Sequence, residues 1–244
     1  IVMLSVMVGD RCVGWYSAAY GLMEAPLFIP SALMVSMYPL MSKYFNSSKE
    51  ALEKSYKKSF KYLFPVALFL AIATTLLANR IIIAIYGTEF INSIQTLQIL
   101  IWAGAVIVIT NIFASLLVAI NKQQIITYGA VLMVILNIVL NYFLIPKFLH
   151  IGAAIATVIT EGFGFIYGFY FVSKYLKCSL EINFLKPIAS SIVVFLLIVF
   201  LSKINLILLI FLSLAAFFSV LMMLGYYTPE DIKLFKTLFT TKTR

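Results

Sequence analysis

Two carboxylates stand where this sequence is most apolar. Glu161 lies at the middle of GAAIATVITEGFGFIYGFYF (152–171), and Glu24 lies within YSAAYGLMEAPLFIPSALMVSMYPL (16–40). An acidic or basic side chain at the centre of an apolar helix costs about 2.5 to 3.5 kcal/mol on insertion scales. Each carboxylate must therefore have polar company, be held neutral, or lie outside a membrane. On a helix, residues three, four and seven apart share a face. Glu161 then shares its face with Ala154, Thr157, Gly164 and Gly168, while Ile155, Ile159, Phe163 and Ile166 take the opposite side. Glu24 has Ser17, Tyr20, Gly21, Phe28 and Ser31 as helical neighbours. Two chemistries stay open for such groups. They can gain and lose a cation, proton or sodium, or a protonated acid can serve as a hydrogen-bond donor between helices.

Amides extend this polar set. Asn111 stands alone, whereas Asn137 and Asn141 are one helical turn apart and share a face with Ala130. Interhelical hydrogen bonding is their first reading and contact with a polar cargo the second. Gly164 and Gly168 read as a helix-packing pair.

The elements that must position these groups are membrane spans. The chain of 244 residues is 63% hydrophobic and 11% charged, against roughly 45–50% and 25% in a soluble domain. Its net charge of +9 sits mostly in short loops between apolar runs, which suits membrane topology better than a nucleic-acid groove. Cys12 and Cys178 form no metal or redox motif. The single histidine, His150, has no ligand partners nearby for zinc, and no Gly-rich nucleotide loop is present. A membrane glycan enzyme would carry sizeable polar outer loops, and here these offer only Asp10, Arg11, Glu89 and His150. No enzyme activity, metal or cofactor is expected, beyond proton or sodium coupling.

Residues 1–9 are too short to span and read as the end of a truncated transmembrane helix. Seven spans follow, at 15–42, 60–86 (with a break near Asn79–Arg80), 93–120, 123–145, 150–174, 187–201 and 204–226. The last two are separated only by Ser202–Asn205, as in a tight helical hairpin. Fourteen basic residues fall on one side of this alternation, and only Arg11, Arg80, Lys147 and Lys203 fall on the other. The positive-inside rule places the C-terminus in the cytoplasm. Three proline residues, Pro26, Pro30 and Pro39, should kink the first span. SSKEALEKSYKKSF (47–60) reads as an interfacial helix with a Ser47–Glu50 capping box, Glu50–Lys54 and Glu53–Lys57 ion pairs, and an apolar face of Leu52, Tyr56 and Phe60. Residues 228–244, opening with Thr228 as cap and Pro229, read as a cytoplasmic amphipathic tail, and both this tail and the 47–60 segment are expected to be attracted to anionic lipid.

Three stretches resemble the polysaccharide transporter, or oligosaccharide flippase, family, within the superfamily that also holds multidrug extruders and the lipid II flippase. They are VGWYSAAYGLMEAPLFIPSALMVSMYPLMSKYF, IYGTEFINSIQTLQILIW and NIVLNYFLIPKFLHIGAAIATVITE, in the first two thirds of the chain. The resemblance implies an all-α transmembrane bundle, with 10–175 as the five-span C-terminal lobe of a two-lobe protein and 176–227 as two additional helices. The implied activity is to flip a polyprenyl-pyrophosphate-linked oligosaccharide from the cytoplasmic to the outer leaflet of the cell membrane by rocking of the lobes. The partner lobe is expected elsewhere, on the same protein or a split chain. No basic residue lies at mid-depth, so the pyrophosphate contact is expected from that lobe, with Arg11 and Arg80 offering basic contacts only at the outer end. Glu24, Glu161, Tyr20, Thr157, Asn111, Asn137 and Asn141 are the candidate pathway residues. A multidrug extruder, whose cationic cargo would favour an acidic cavity, remains the alternative, as does a lobe inactive by itself.

Overall fold

The computed structural model describes residues 1–176, 183–229 and 231. Every regular element among those residues is a helix, with no strand among them, and the chain divides into two compact units, Ile1–Ile182 and Asn183–Arg244.

In the first unit, a short α1 (Val2–Val8) turns at Gly9 into α2 (Asp10–Glu24). Gly9 has φ 87, a conformation glycine adopts at little cost. A single turn of 3-10 helix, Ala25–Leu27, separates α2 from α3 (Phe28–Ser47). Pro26 lies inside that turn and Pro30 in the first turn of α3, positions where a missing N–H is tolerated. The expected irregularity thus falls directly after Glu24, the last residue of α2.

Helix α4 (Lys49–Tyr86) differs from the sequence expectation in three ways. Its cap is Ser48, whose hydroxyl accepts from Ala51 N at 3.2 Å, one residue later than the pattern suggested. It runs unbroken through Asn79–Arg80 to Tyr86. Its first turns are not a separate interfacial helix: Leu52, Tyr56 and Phe60 are 1–3% exposed, in a core shared with Met41, Phe113 and Val172. That apolar face meets protein, not acyl chains. Among the described residues, neither the Glu50–Lys54 nor the Glu53–Lys57 ion pair is closed.

Helix α5 (Ser93–Ala119) is the most buried, packing on α2, α3, α4 and α6. Helix α6 (Gln123–Leu176) has 54 residues, which would stretch about 80 Å if straight, far beyond a hydrocarbon core of about 30 Å. It does not run straight. Leu149 takes φ 53 and ψ −134, and the two limbs fold back on each other. The pairing is regular: Gly152 closes on the Leu144 carbonyl, Asn137 meets Thr160, Met133 meets Gly164 and Gly129 meets Tyr167. Each step down one limb is matched by a step up the other.

Lipid tails are as apolar as leucine, so helices in a membrane associate through close packing rather than hydrophobic expulsion. Small residues mark the closest approaches. A Cβ on Gly168 would lie 2.9 Å from Phe113, and one on Gly104 would lie 2.9 Å from Met23.

The second unit holds α7 (Leu185–Phe200) and α8 (Leu206–Met223). Asn205 caps α8, accepting from Ile207 N at 2.9 Å. Lys186 Nζ donates to Gly225 O at 3.1 Å, tying the start of α7 to the end of α8, so the pair is antiparallel. Thr228 exchanges hydrogen bonds with Asp231 in the manner of a helix cap. The remainder of the expected amphipathic tail lies outside the described residues, as do Cys178 and the residues around it.

Candidate transport seam

Helix α2 meets the second limb of α6 along a line of hydroxyls and carboxylates. Tyr16 OH and Thr157 Oγ1 are 3.2 Å apart. The Thr157 hydroxyl already donates to Ala153 O at 2.9 Å, so Tyr16 is the donor between them. One turn further, Tyr20 stacks on Tyr16 with ring centroids 5.9 Å apart. Tyr20 and Glu24, four residues apart on α2, share that face, and Tyr20 lies within electrostatic range of both Glu24 and Glu161. The structure therefore sets the α2 face that carries Tyr16, Tyr20 and Glu24 against the α6 limb that carries Thr157 and Glu161, a pairing between helices that the spacing within each helix did not give. Tyr16 was legible as the residue one turn before Tyr20, but its partner lies 141 positions away.

Exposure separates this face from the others. Along the first limb of α6, Val131, Val134, Ile135, Ile138, Val139 and Phe143 are 47–60% exposed, the bulky apolar surface that suits lipid. Beyond its first two residues, Asp10 and Arg11, the exposed positions on α2 are instead Ser17, Gly21 and Glu24, with Tyr20 half-buried beside them. Glu161 is half-buried. A small, polar and acidic open face at bilayer depth does not suit acyl chains.

Asn137 and Asn141 form a second group, inside the α6 hairpin. Asn141 Nδ2 donates to Asn137 Oδ1 at 2.8 Å, and Asn137 Nδ2 donates to Thr160 Oγ1 at 3.1 Å. Thr160, one residue before Glu161, was not singled out from the sequence; its hydroxyl donates to Ala156 O at 2.8 Å. Asn141 Oδ1 is buried without a partner. This chain clips the two limbs together. Interhelical hydrogen bonds in membranes average about 0.6 kcal/mol and reach about 1.7. Asn137→Leu breaks two of them and should lower stability by about 1–2 kcal/mol, read as an earlier unfolding transition in detergent; Asn141→Leu should cost less. Asn111 is half-buried on α5 and joins neither group by a hydrogen bond among the described residues.

Arg11 packs over the Trp15 ring, 5.1 Å from its centroid. Trp15 Nε1 donates to Glu89 O at 3.3 Å, and its ring lies 5.2 Å from His150. His150 Nε2 faces Asn92 O at 3.1 Å, so that nitrogen carries the proton, and these contacts tie the α6 bend to α2 and to the turn before α5. Arg80 is half-buried in the last two turns of α4. A separate open groove of about 500 Å³ lies between α5 and α6, lined by Gln95, Gln98, Ile99, Trp102, Ile151 and Val158. Among the described residues no group of three or more His, Cys, Asp or Glu side chains is placed to hold a metal ion.

No family model matches the chain. It is 28% identical over 145 residues to an uncharacterized membrane protein of Methanocaldococcus jannaschii, a match covering 54% of this chain and 28% of that protein. It is 24% identical over 165 residues to the lipid II flippase MurJ of Bacillus subtilis (strain 168), covering 66% of this chain and 30% of that protein. Among solved structures, a lipid II flippase MurJ in an inward closed conformation superposes with a TM-score of 0.73 at 17% identity, over 91% of this chain and 49% of that one. The matches thus span half or less of those proteins. The chain is a multi-pass, all-helical membrane protein, a distant sequence relative of a lipid II flippase with the fold of one.

Proposed function

We propose that the chain forms one lobe of a transporter that carries a polyprenyl-pyrophosphate-linked oligosaccharide from the cytoplasmic to the outer leaflet. The observation that carries this reading is the open face of α2. Its exposed Ser17, Gly21 and Glu24 make a wall suited to a wet cavity, while the outer faces of α6 suit lipid. A wall needs a facing surface, and a second helical bundle, on the same polypeptide or on a partner chain, would close the cavity. Alternating access follows when the two bundles rock about the seam. The C-terminus lies in the cytoplasm, on the lysine-rich side.

In this scheme Glu24 and Glu161 exchange a proton or sodium as the cavity changes its opening, with Tyr20 linking them. Tyr16 and Thr157 set the distance between α2 and α6. The seam itself is acidic and would repel a pyrophosphate, so that group would be held by the facing bundle, with Arg11 and Arg80 meeting it at the outer end. The fold likeness to a lipid II flippase supports a lipid-linked cargo over a soluble one. A second reading draws on the same carboxylates: an acidic cavity also favours a cationic drug as cargo.

The test is a flipping assay on the complete transporter in proteoliposomes. Fluorescent polyprenyl-pyrophosphate-linked oligosaccharide should become accessible on the far leaflet at least tenfold faster than in protein-free vesicles. Efflux of a lipophilic cationic dye with no movement of the lipid-linked sugar would replace the first reading with the second.

A further inference from the structure

Folding gathers four separate stretches of sequence at one end of the first unit: the end of α3, the start of α4, the turn joining α5 to α6, and the end of α6. Met41, Leu52, Tyr56, Leu117, Ile120 and Leu176, drawn from all four, share one buried cluster. Among the described residues, eight lysines stand around that cluster, opposed only by Glu50 and Glu53. The other end of the unit is close to balanced, with Arg11, Arg80 and Lys147 against Asp10 and Glu89.

The base of α4 gives this charge a definite place. Leu52, Ser55, Tyr56, Ser59, Phe60 and Leu63 form its buried side. Glu50, Glu53, Lys54, Lys57 and Lys58 point the other way, at helical positions opposite that side. Because the apolar side is locked into protein, this segment cannot roll over to lie in the bilayer surface as a free amphipathic helix does. It stands upright instead. Helix α4 has 38 residues, about 57 Å of helix, against a hydrocarbon core of about 30 Å. Its charged first turns therefore leave the core and cross the level where lipid phosphates lie. On the neighbouring elements, Lys122 Nζ rests over the Tyr175 ring at 5.3 Å, next to Lys174.

We infer that this basic end is a docking surface for the anionic headgroups of bilayer phospholipids. The charges are spread over four elements as a collar and do not converge on one cleft, which fits many lipid phosphates around a rim rather than a single pyrophosphate. Lysine on a flexible stem suits such exchangeable partners. The collar would hold the lobe at fixed depth and tilt, and this does not depend on what the transporter carries.

The experiment uses the full-length protein in vesicles of phosphatidylglycerol and phosphatidylcholine at equal amounts. Lipids retained after gentle extraction are counted by native mass spectrometry. The wild type should keep phosphatidylglycerol in preference. The combined Lys54→Gln, Lys57→Gln and Lys58→Gln variant should lose about tenfold of that preference, and high salt should erase it. Thermal unfolding in neutral detergent should be unchanged, since none of the three lies on the buried side. If unfolding does shift, Lys122→Gln with Lys174→Gln, on other elements, must lower the preference instead. The inference is overturned if the wild type shows no preference, or if both variants keep it. It is equally overturned if micromolar inorganic pyrophosphate displaces the phosphatidylglycerol, which would make the surface a pyrophosphate site.

Discussion

Gly152→Ala should destabilise the protein by about 3 kcal/mol, near the upper end of what overpacking costs, while Gly162→Ala should be neutral or stabilising. Both glycines are in the second limb of α6, ten positions apart, and both substitutions add one methyl group. At Gly162 that methyl meets nothing within 4 Å, and alanine is the better helix former by about 0.5–1 kcal/mol. At Gly152 it would collide with the carbonyl carbon and oxygen of Leu144 on the opposite limb. A side chain can move aside; a backbone carbonyl inside a helix cannot without parting the limbs. The site also supports a strained neighbour. Leu149 holds φ 53, where an L-residue carries roughly 1–2 kcal/mol of strain, so the bend persists only because the packed limbs and the His150–Asn92 contact impose it. Loosening Gly152 removes part of that restraint. Thermal unfolding of the two variants in the same detergent decides the matter, and equal transitions would mean that the hairpin is not closed this tightly.

The seam and the hairpin mark what the sequence could and could not disclose. Relations within one helix were readable, because a period of 3.6 residues fixes them. Tyr20 with Glu24 and Thr157 with Glu161 were placed on common faces from spacing alone, and the break after Glu24 follows from Pro26. Relations between helices were not readable. Nothing in the spacing of α2 names Thr157 as the partner of Tyr16, or assigns Asn137 to Thr160 across the bend. The apolar stripe of Leu52, Tyr56 and Phe60 was recognised, but its destination was misassigned. In a membrane protein an apolar stripe can face lipid or protein at similar cost, so composition does not separate them. The polar pair Asn79–Arg80 suggested a break for a similar reason. Ala78 and Ile82 beside it are fully buried, and the helix continues because tertiary packing outweighs two polar residues. Gly152 looked like one more small residue until the fold set a carbonyl against it.

Glu161→Gln in the complete transporter should cut flipping at least tenfold while leaving expression and unfolding temperature near wild type. Glutamine keeps the shape and hydrogen-bonding capacity of the carboxyl group but can neither carry charge nor release a proton. A role in packing would survive the change; a role in cation exchange would not. Tyr20→Phe should give a smaller loss, since it removes only the phenol that lies within electrostatic range of both carboxylates. The double variant is the sharper probe. If Glu24 and Glu161 act on one shared cation through Tyr20, removing the second carboxylate after the first should cost little more, a strongly non-additive pair. Two separate sites would instead give losses that multiply. A Glu161→Gln protein that expresses poorly and melts early would return this carboxylate to the class of structural donors. Glu24, exposed at the end of α2, would then be left to carry any coupling alone. One phenol on α2 lies within electrostatic range of a carboxylate on its own helix and of another on α6, so a tilt of α2 against α6 would move Tyr20 and Glu24 together relative to Glu161 and uncouple the pair.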